Sequence, residues 1–227
     1  MIRIRELISD VRNRYPKDDF FANFEYSCRI SAARRASYRA YNRALVSLDD
    51  KSWSILKQKA LRHYCDHRKG QKKQGFFNQL NEAFAYHYLV NKGFSDVRFI
   101  EEAQETRPDI AYTIQGNQNY CEVKTIGISN DEIERRRTIA AYSGSVYTNL
   151  SDGFLHKFDD SFQTARKQIG AVGSNSLVYF VMRIDDIALD YYQDYRKQLI
   201  SYAITHGFDN LFIKIGLIGN KRICITN

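Results

Sequence analysis

The stretch from Arg107 to Thr125 constrains the fold of this chain most, because it has the pattern of two short strands folded back on each other. Its sequence is RPDIAYTIQGNQNYCEVKT, with an apolar run on each side of a Gly-Asn pair. Such a pair between two runs predicts a hairpin turned at Gly116 and Asn117. Asp109 would then lie opposite the end of the second strand, which carries Glu122-Val123-Lys124.

The second strand of this hairpin predicts a cluster of charges on one face. Successive residues of a strand point to opposite faces, so Glu122 and Lys124 share a face and Val123 points away. Together with Asp109, two carboxylates and one ammonium would meet on one patch of sheet. Two carboxylates can hold a divalent cation, and a lysine beside them can orient or activate a water. These are the groups that a metal-dependent phosphodiesterase needs.

The remaining patterns predict an α/β core after a helical start. The helices of that start would cover 2–15, 19–48 and 51–68, and Asp49-Asp50 would cap the third. The core elements are a helix over 76–91, a strand over 96–101, the hairpin, a helix over 152–169 and a buried central strand over 176–184. The chain would end with a helix over 186–206 and strands over 211–217 and 222–226. The polar stretch over 129–149 predicts a long loop or a partly helical insertion.

This combination of motifs and elements resembles the PD-(D/E)xK nuclease superfamily, which has the restriction-endonuclease-like fold. The resemblance is carried by Pro108-Asp109, by Glu122-Val123-Lys124, by the 13 residues from Asp109 to Glu122, and by the element order. It covers roughly residues 75 to 185. It implies an α/β fold with a restriction-endonuclease-like α-β-β-β-α-β core and a mixed sheet, preceded by a helical N-terminal region.

The same resemblance implies which residues carry the chemistry. Asp109, Glu122 and the backbone carbonyl of Val123 would bind Mg²⁺, for which Mn²⁺ would substitute. Glu82, in the first core helix, would complete the metal site. Lys124 would contact the scissile phosphate and the attacking water, where its ammonium would stabilise the negative charge of the transition state. The alternatives are a salt bridge between Lys124 and Glu122 and a solvated position for Glu82.

The second core helix contributes a candidate glutamine. Many members of the superfamily carry glutamine or lysine in this helix, near the active site. Gln168 follows Ala165 by three positions and precedes Ile169, which predicts that it flanks the buried face. Gln163 shares another face with Lys167. Gln168 is therefore the candidate catalytic residue of the two, with a surface role as the alternative.

Positive charge is concentrated in the N-terminal third of the chain. The net charge is +8, and residues 1–81 hold 18 basic against 8 acidic residues, whereas the other 146 residues hold 16 against 18. A one-sided basic field predicts a polyanionic partner, most simply nucleic acid; a solvated basic face is the alternative. We therefore predict a basic helical region over 1–74 that binds nucleic acid and a nuclease-like core over 75–227.

Three groups of basic residues are candidates for that contact. They are Arg29, Arg34, Arg35, Arg39 and Arg43; Lys72 and Lys73; and Arg135, Arg136 and Arg137. The first group lies in a segment predicted to be helical over 19–48, where arginines could bind phosphates while Tyr38 or Tyr41 stacks on bases. The alternative is an amphipathic helix with its arginines in solvent and its tyrosines in the core.

Composition favours a cytoplasmic protein without a membrane span. No apolar run approaches the ~20 residues that cross a bilayer, and the first residues lack the apolar segment of a secretory signal. The four cysteines are scattered without a CxxC pair, as is usual in a reducing compartment. Cys121, on the face opposite Glu122, is predicted to lie in the core.

The sequence therefore predicts a Mg²⁺-dependent endonuclease that acts on DNA. An RNA endonuclease, a nucleic-acid-binding module on a degenerate nuclease fold, and a basic partner of an acidic protein remain alternatives. Two-fold symmetric cleavage is common in the superfamily, so a homodimer is compatible with the resemblance. The chain has no GxxxxGK[ST] loop and no GxSxG motif, which gives no support to a P-loop nucleotide hydrolase or a serine hydrolase.

Overall fold

The computed structural model describes residues 1–68, 70–101, 107–128, 133, 149–170, 176–183 and 191–226. The fold is α/β, and its strands pair in both parallel and antiparallel directions. The chain forms two units, Met1–Glu101 with Asp109–Gly116, and Glu102–Pro108 with Asn117–Asn227. The restriction-endonuclease-like arrangement and the functional boundary between residues 74 and 75 stay predictions.

The first unit is mainly helical. Its described elements are α1 (Ile2–Arg14), α2 (Phe24–Ile30), α3 (Ala32–Val46), α4 (Asp50–Arg62), a 3₁₀ helix (His63–Cys65), α5 (Gln74–Asn91), β1 (Ser95–Phe99) and β2 (Ile110–Ile114). The strands β1 and β2 pair antiparallel, with Phe99 opposite Ile110. This pairing fixes the start of β2, and therefore the position of Asp109 immediately before it.

Apolar spacing and capping residues decide where the first helices lie. The buried residues of α1 are Ile4, Leu7, Ile8 and Val11, which confirms the predicted helix. Pro16 stands just beyond its end, where a proline cannot continue a helix. Asp49 caps α4 as predicted, because its side chain accepts a 2.6 Å hydrogen bond from the backbone N–H of Ser52.

Two predicted helix bounds in this unit were wrong. The segment predicted as one helix over 19–48 forms α2 and α3, because Ser31 has an extended backbone with φ −111° and ψ 110°. Its side chain accepts a 3.2 Å hydrogen bond from the backbone N–H of Arg34 and so begins a new helix. The third helix, predicted to reach Arg68, ends at Arg62 and tightens into the 3₁₀ helix.

Gly75, in the first turn of α5, is packed so closely that a methyl group there should destabilise the fold. A Cβ at this position would lie 2.6 Å from the Cβ of Asp66 and 2.7 Å from the carbonyl oxygen of His63. A backbone oxygen cannot swing aside as a flexible side chain can. We expect Gly75→Ala to lower the free energy of unfolding by about 1–3 kcal/mol, measured by urea denaturation.

Gly153 provides the matched control for this substitution. It lies in the helix Asp152–Ile169, and among the described residues no atom comes within 4 Å of the position that a methyl group would take there. Alanine forms helix more readily than glycine, so Gly153→Ala should be neutral or stabilising by up to about 1 kcal/mol. Equal destabilisation by both substitutions would contradict the packing argument.

The second unit contains four strands that pair in both parallel and antiparallel directions. Its described elements are β3 (Asn117–Ile126), α6 (Asp152–Ile169), β4 (Leu177–Met182), α7 (Tyr192–Thr205), β5 (Leu211–Ile215) and β6 (Arg222–Ile225). The strands β3, β4 and β5 pair in parallel, and β6 pairs antiparallel with β5. β4 lies between β3 and β5 and is buried along nearly its whole length, which confirms the predicted central strand.

The turn between β2 and β3 lies one residue earlier than predicted. Gln115 and Gly116 form the turn, with φ of 49° and 81°, and β3 begins at Asn117. Positive φ at both central residues is the requirement of a type I′ turn, in which glycine fits best at the second position. Gly116 therefore fills the second turn position, and Asn117 starts the strand.

Apolar residues of α6 and the sheet form the core of the second unit. The helix contributes Phe158, Phe162, Ala165 and Ile169, and β4 contributes Val178, Phe180 and Met182. Cys121 is fully buried, which confirms its predicted core position. Among the elements that the structure describes, the predicted order of helix, three strands, helix and strand is confirmed as α5, β1, β2, β3, α6 and β4.

Two predicted segments fall mostly or partly beyond the described residues. Most of the insertion over 129–149 and the first part of the helix over 186–206 are among them. Of the helices that the structure describes, none has a long enough apolar stretch to cross a membrane.

Candidate active site

Strand β3 brings Glu122 and Lys124 together on one face, as the alternation of a strand predicted. The Nζ of Lys124 donates a 2.8 Å hydrogen bond to Oε1 of Glu122. The Glu122 side chain is only 4% exposed, whereas that of Lys124 is 22% exposed. The carboxylate is therefore buried, and the ammonium beside it remains partly accessible to solvent.

Gln168 provides a second partner for this lysine. It lies in the last turn of α6, and its amide oxygen accepts a hydrogen bond from the Nζ of Lys124. Ala165 and Ile169 are buried on the same side of the helix, which turns Gln168 toward the sheet. Gln163 is exposed and donates instead to Asp159 within its own helix. The predicted register of Gln168 is confirmed, and its catalytic role stays a prediction.

Lys124 is thus positioned by two acceptors of different kinds. The salt bridge to Glu122, which was the alternative to a catalytic role, is present, and the contact with Gln168 adds a neutral acceptor. An ammonium has three N–H donors, so these two contacts leave it capable of a third hydrogen bond. A phosphate oxygen or a water that approaches from the exposed side is a chemically suitable acceptor.

The first unit holds a separate buried group of charges. The Nζ of Lys59 donates hydrogen bonds of 2.9 and 2.8 Å to the two carboxylate oxygens of Glu82. The same Nζ lies 3.4 Å from Oδ1 of Asp109. The side chains of Lys59 and Glu82 are each 7% exposed, and that of Asp109 is 17% exposed. Glu82 is therefore buried and paired, not solvated on its helix.

Sequence reasoning missed Lys59, although a signal for it exists. Lys59 follows Leu56 by three positions and directly precedes Ala60, and both of these residues are fully buried on α4. It therefore lies within the apolar stripe of the helix, where a lysine is rarely buried unless it is paired. A charged residue inside an apolar stripe is the pattern that could have indicated a buried ion pair.

Each of these two groups contains carboxylate oxygens, which are the donor atoms that a hard cation such as Mg²⁺ prefers. Asp109 and Glu122 offer carboxylate oxygens, and Asp109 is accessible enough for ions to reach it. Mg²⁺ keeps several waters and needs only one or two protein carboxylates. In the part of the chain that the structure describes, no group of three or more His, Cys, Asp and Glu side chains is placed to hold a metal. Each of these two carboxylates therefore suits Mg²⁺ by its chemistry.

The arginines of α2 and α3 lie mainly at the surface. Four of the five predicted to bind nucleic acid are exposed, namely Arg29, Arg34, Arg39 and Arg43. Arg35 is partly buried, because its guanidinium donates 3.1 Å hydrogen bonds to the carbonyl oxygens of Cys28 and Arg29. The second arginine group, over 135–137, lies outside the described residues.

The tyrosines among these arginines pack toward the interior, Tyr41 fully and Tyr38 in part. Tyr41 is 1% exposed, and its hydroxyl donates a 3.0 Å hydrogen bond to Oδ1 of Asn81. Tyr38 packs edge-on against Phe24, with ring centroids 4.8 Å apart, and burial raises the pKa of its hydroxyl to about 12. Tyr41 is therefore buried and Tyr38 half-buried among aromatic rings, as the amphipathic alternative predicted for the tyrosines, while phosphate binding by the arginines stays a prediction.

Two neighbouring lysines that were predicted to bind nucleic acid differ in environment. Lys72 is exposed, whereas Lys73 is 7% exposed and forms a salt bridge with Asp18. The ammonium of Lys73 also lies 3.8 Å from the ring centroid of Tyr64, whose hydroxyl donates a 2.6 Å hydrogen bond to Asp18. The structure therefore assigns Lys73 to the interior, because its charge is already neutralised there, and Lys72 stays a candidate.

Asp18 should make the folded state sensitive to acid. Burial raises the pKa of its carboxyl, but hydrogen bonds from Lys73 and Tyr64 outweigh burial and hold that pKa below its ordinary value of 3.8. A carboxyl whose pKa is lower in the folded than in the unfolded state stabilises the fold at pH values above its unfolded pKa. This contribution is lost as the pH falls through its folded pKa. We expect Asp18→Asn to lower the free energy of unfolding by about 1–3 kcal/mol at pH 7.

The difference between the wild type and Asp18→Asn should shrink as the pH falls below about 4, because the carboxyl of the unfolded chain takes up its proton there and that of the folded protein does so only at lower pH. Urea denaturation at pH 7 and at pH 3 measures it. Asp96→Asn, an exposed position in β1, is the control and should change stability by less than about 0.5 kcal/mol. A difference for Asp18→Asn that is the same at both pH values would show that its ionisation is not the cause.

Comparisons of the chain with protein-family models, with curated proteins and with solved structures found no match. The function must therefore be inferred from the residues, their contacts and the order of the elements.

Proposed function

We propose that this chain is a Mg²⁺-dependent endonuclease that hydrolyses phosphodiester bonds of DNA. The observation that carries the proposal is the position of Lys124, which a buried carboxylate and an amide hold with its ammonium partly exposed. An ordinary surface ion pair joins two solvated groups and stabilises a protein by only about 0–1 kcal/mol. Here the positive charge is fixed before a substrate binds, as electrostatic stabilisation of an anionic transition state requires.

Each residue of the proposed site has a defined role. Asp109, Glu122 and the carbonyl of Val123 would hold Mg²⁺, which acts as a Lewis acid on the phosphate when it is bound. Lys124 positions the attacking water and stabilises the negative charge that develops on the phosphate. Gln168 is a positioning residue, because it contacts the ammonium of Lys124 and limits where that charge can point.

The sequence links the two groups of charges in this proposal. Asp109 and Glu122 are separated by 13 residues and stand on either side of the two-residue turn at Gln115 and Gly116. Asp109 also lies beside Lys59 and Glu82 within the first unit. Glu82 therefore supports the site in this proposal.

The exposed arginines of α2 and α3 supply the proposed DNA contact. Residues 26 to 48 contain five arginines and no aspartate or glutamate. Neutralisation of phosphates by such a surface releases counterions, so binding should weaken steeply as salt increases. The contact does not depend on base identity, so it positions the backbone and adds no sequence specificity.

Removal of two exposed arginines should weaken DNA binding and reduce its salt dependence. Arg39 and Arg43 lie four residues apart on α3, so they are neighbours on one face of the helix. We expect the double substitution Arg39→Ala/Arg43→Ala to reduce the slope of log K against log[salt] by about 1 for each phosphate that is no longer neutralised. Fluorescence anisotropy of a labelled duplex, over a series of salt concentrations, measures this slope.

Arg196→Ala/Lys197→Ala is the control with the same change of charge. Both residues are exposed on α7, outside the region predicted to bind nucleic acid. If both double variants change the slope equally, binding depends on net charge alone and the assigned surface is wrong.

The function itself is tested by cleavage of plasmid, linear duplex, single-stranded DNA and RNA, with Mg²⁺, with Mn²⁺ and with EDTA. We expect metal-dependent cutting of DNA that is lost in Lys124→Ala. Metal-dependent cutting of RNA alone would reassign the substrate. Salt-sensitive binding without cutting of any substrate would identify a binding module instead, and the absence of both would favour a protein partner.

A further inference from the structure

Lys59 is a lysine of the helical region whose charge is buried among carboxylates of the proposed site. Its side chain is 7% exposed, and its neighbours Leu56 and Ala60 on α4 are fully buried. Burial of an ammonium costs several kcal/mol unless other charges compensate for it. Its contacts with Glu82 and Asp109 provide that compensation.

The two carboxylates do not share Lys59 equally. Both oxygens of Glu82 receive hydrogen bonds below 3 Å, whereas Asp109 receives one longer contact of 3.4 Å. Asp109 is also the more exposed of the two, at 17% against 7%. Of these two carboxylates, Glu82 is therefore the closer partner of Lys59, and Asp109 is better placed to accept a cation from solvent.

We infer that Glu82 acts on the metal site through Lys59 and is not itself a ligand of the metal. In this arrangement Glu82 holds the ammonium of Lys59 at its present distance from Asp109. Lys59 and Glu82 are then positioning residues that set the charge and orientation of Asp109. The inference rests on the proposed function, and it changes the role that the family resemblance gives to Glu82.

The inference predicts an unusual pattern in a double-mutant cycle. Glu82→Leu removes the closer of these two carboxylates and keeps the contact between the ammonium of Lys59 and Asp109, so the ammonium competes with a metal ion for Asp109. We expect the affinity for Mn²⁺ to fall by at least about tenfold, the range seen when groups that orient ligands are lost. In Lys59→Met/Glu82→Leu the competing charge is absent, and the affinity should return to within about threefold of the wild type.

Thermal unfolding in EDTA gives a second readout that needs no metal and no activity. Loss of one partner leaves the other charge buried, so Glu82→Leu should lower Tm by about 10 °C. Replacement of both partners by apolar residues of similar size is often neutral, so the double variant should recover most of that loss. Lys51→Met, at an exposed position of the same helix, controls for the loss of a lysine.

The experiment is calorimetric titration of each full-length protein with MnCl₂, together with thermal unfolding in EDTA. Recovery of both Mn²⁺ affinity and Tm in the double variant supports the inference. Mn²⁺ affinity that is equally low in Glu82→Leu and in the double variant would show that Glu82 is a direct ligand. If the wild type and all variants bind Mn²⁺ equally well, the inference is wrong and the proposed function is unaffected. A wild type that binds no Mn²⁺ and cuts nothing overturns the proposed function, and the inference with it.

Discussion

Replacement of Lys124 by alanine is expected to slow Mg²⁺-dependent DNA cleavage by at least about 100-fold, with little change in DNA or metal binding. The ammonium is held beside the Glu122 carboxylate and the Gln168 amide, so its charge is already oriented when a substrate arrives. Loss of one preorganised group that stabilises transition-state charge costs about 10²–10³ in rate in other enzymes. Single-turnover cleavage at saturating Mg²⁺ measures this rate without a contribution from product release.

Lys167 provides the matched control for this experiment. It is an exposed lysine next to Gln168 on the same helix, and Lys167→Ala should leave the cleavage rate within about twofold of the wild type. If Lys124→Ala also cleaves at the wild-type rate, the catalytic role of Lys124 is wrong, and its salt bridge with Glu122 is structural. If Lys124→Ala loses DNA binding and cleavage in parallel, Lys124 contributes to affinity and not to the chemical step.

Replacement of Asp109 by asparagine is expected to abolish metal binding as well as cleavage. Asparagine keeps the size of the side chain but removes the negative charge that Mg²⁺ prefers in a ligand. Groups that only orient a ligand contribute 10–100-fold to metal affinity. Loss of a ligand itself should therefore cost at least about 100-fold, measured by calorimetric titration with MnCl₂.

The contrast between these two variants separates the proposed roles. Lys124→Ala should bind Mn²⁺ like the wild type and fail to cut, whereas Asp109→Asn should fail at both. Asp96→Asn changes an exposed position in the same unit as Asp109, and this variant should bind Mn²⁺ and cut DNA like the wild type. Normal Mn²⁺ binding by Asp109→Asn would remove Asp109 from the metal site and leave it as a partner of Lys59.

Features that depend on neighbouring positions in the chain could be predicted from the sequence. The shared face of Glu122 and Lys124 follows from the two-residue period of a strand. The register of Gln168 follows from the spacing of Ala165 and Ile169 on a helix. The order of helices and strands around them was confirmed for the same reason, since each element has its own apolar period.

Features that depend on contacts between distant residues could not be predicted in this way. Lys59 contacts Glu82, 23 positions later, and Asp109, 50 positions later. Lys73 and Lys72 are adjacent and chemically identical, yet only Lys73 reaches Asp18, which lies 55 positions earlier. Composition and spacing give both lysines the same description, so only the packing of the helices distinguishes a buried ion pair from a surface charge.

The sequence alone determined the α/β class, the order of the elements and the local arrangement of the candidate residues on β3 and α6, because strand alternation and helix periodicity act over a few residues. Only the tertiary structure decided which charges are buried and with which partners, since burial of a charge depends on counter-ions brought from elsewhere in the chain. That distinction moved Lys73 from the predicted nucleic-acid surface to the interior and brought Lys59 into the proposed site.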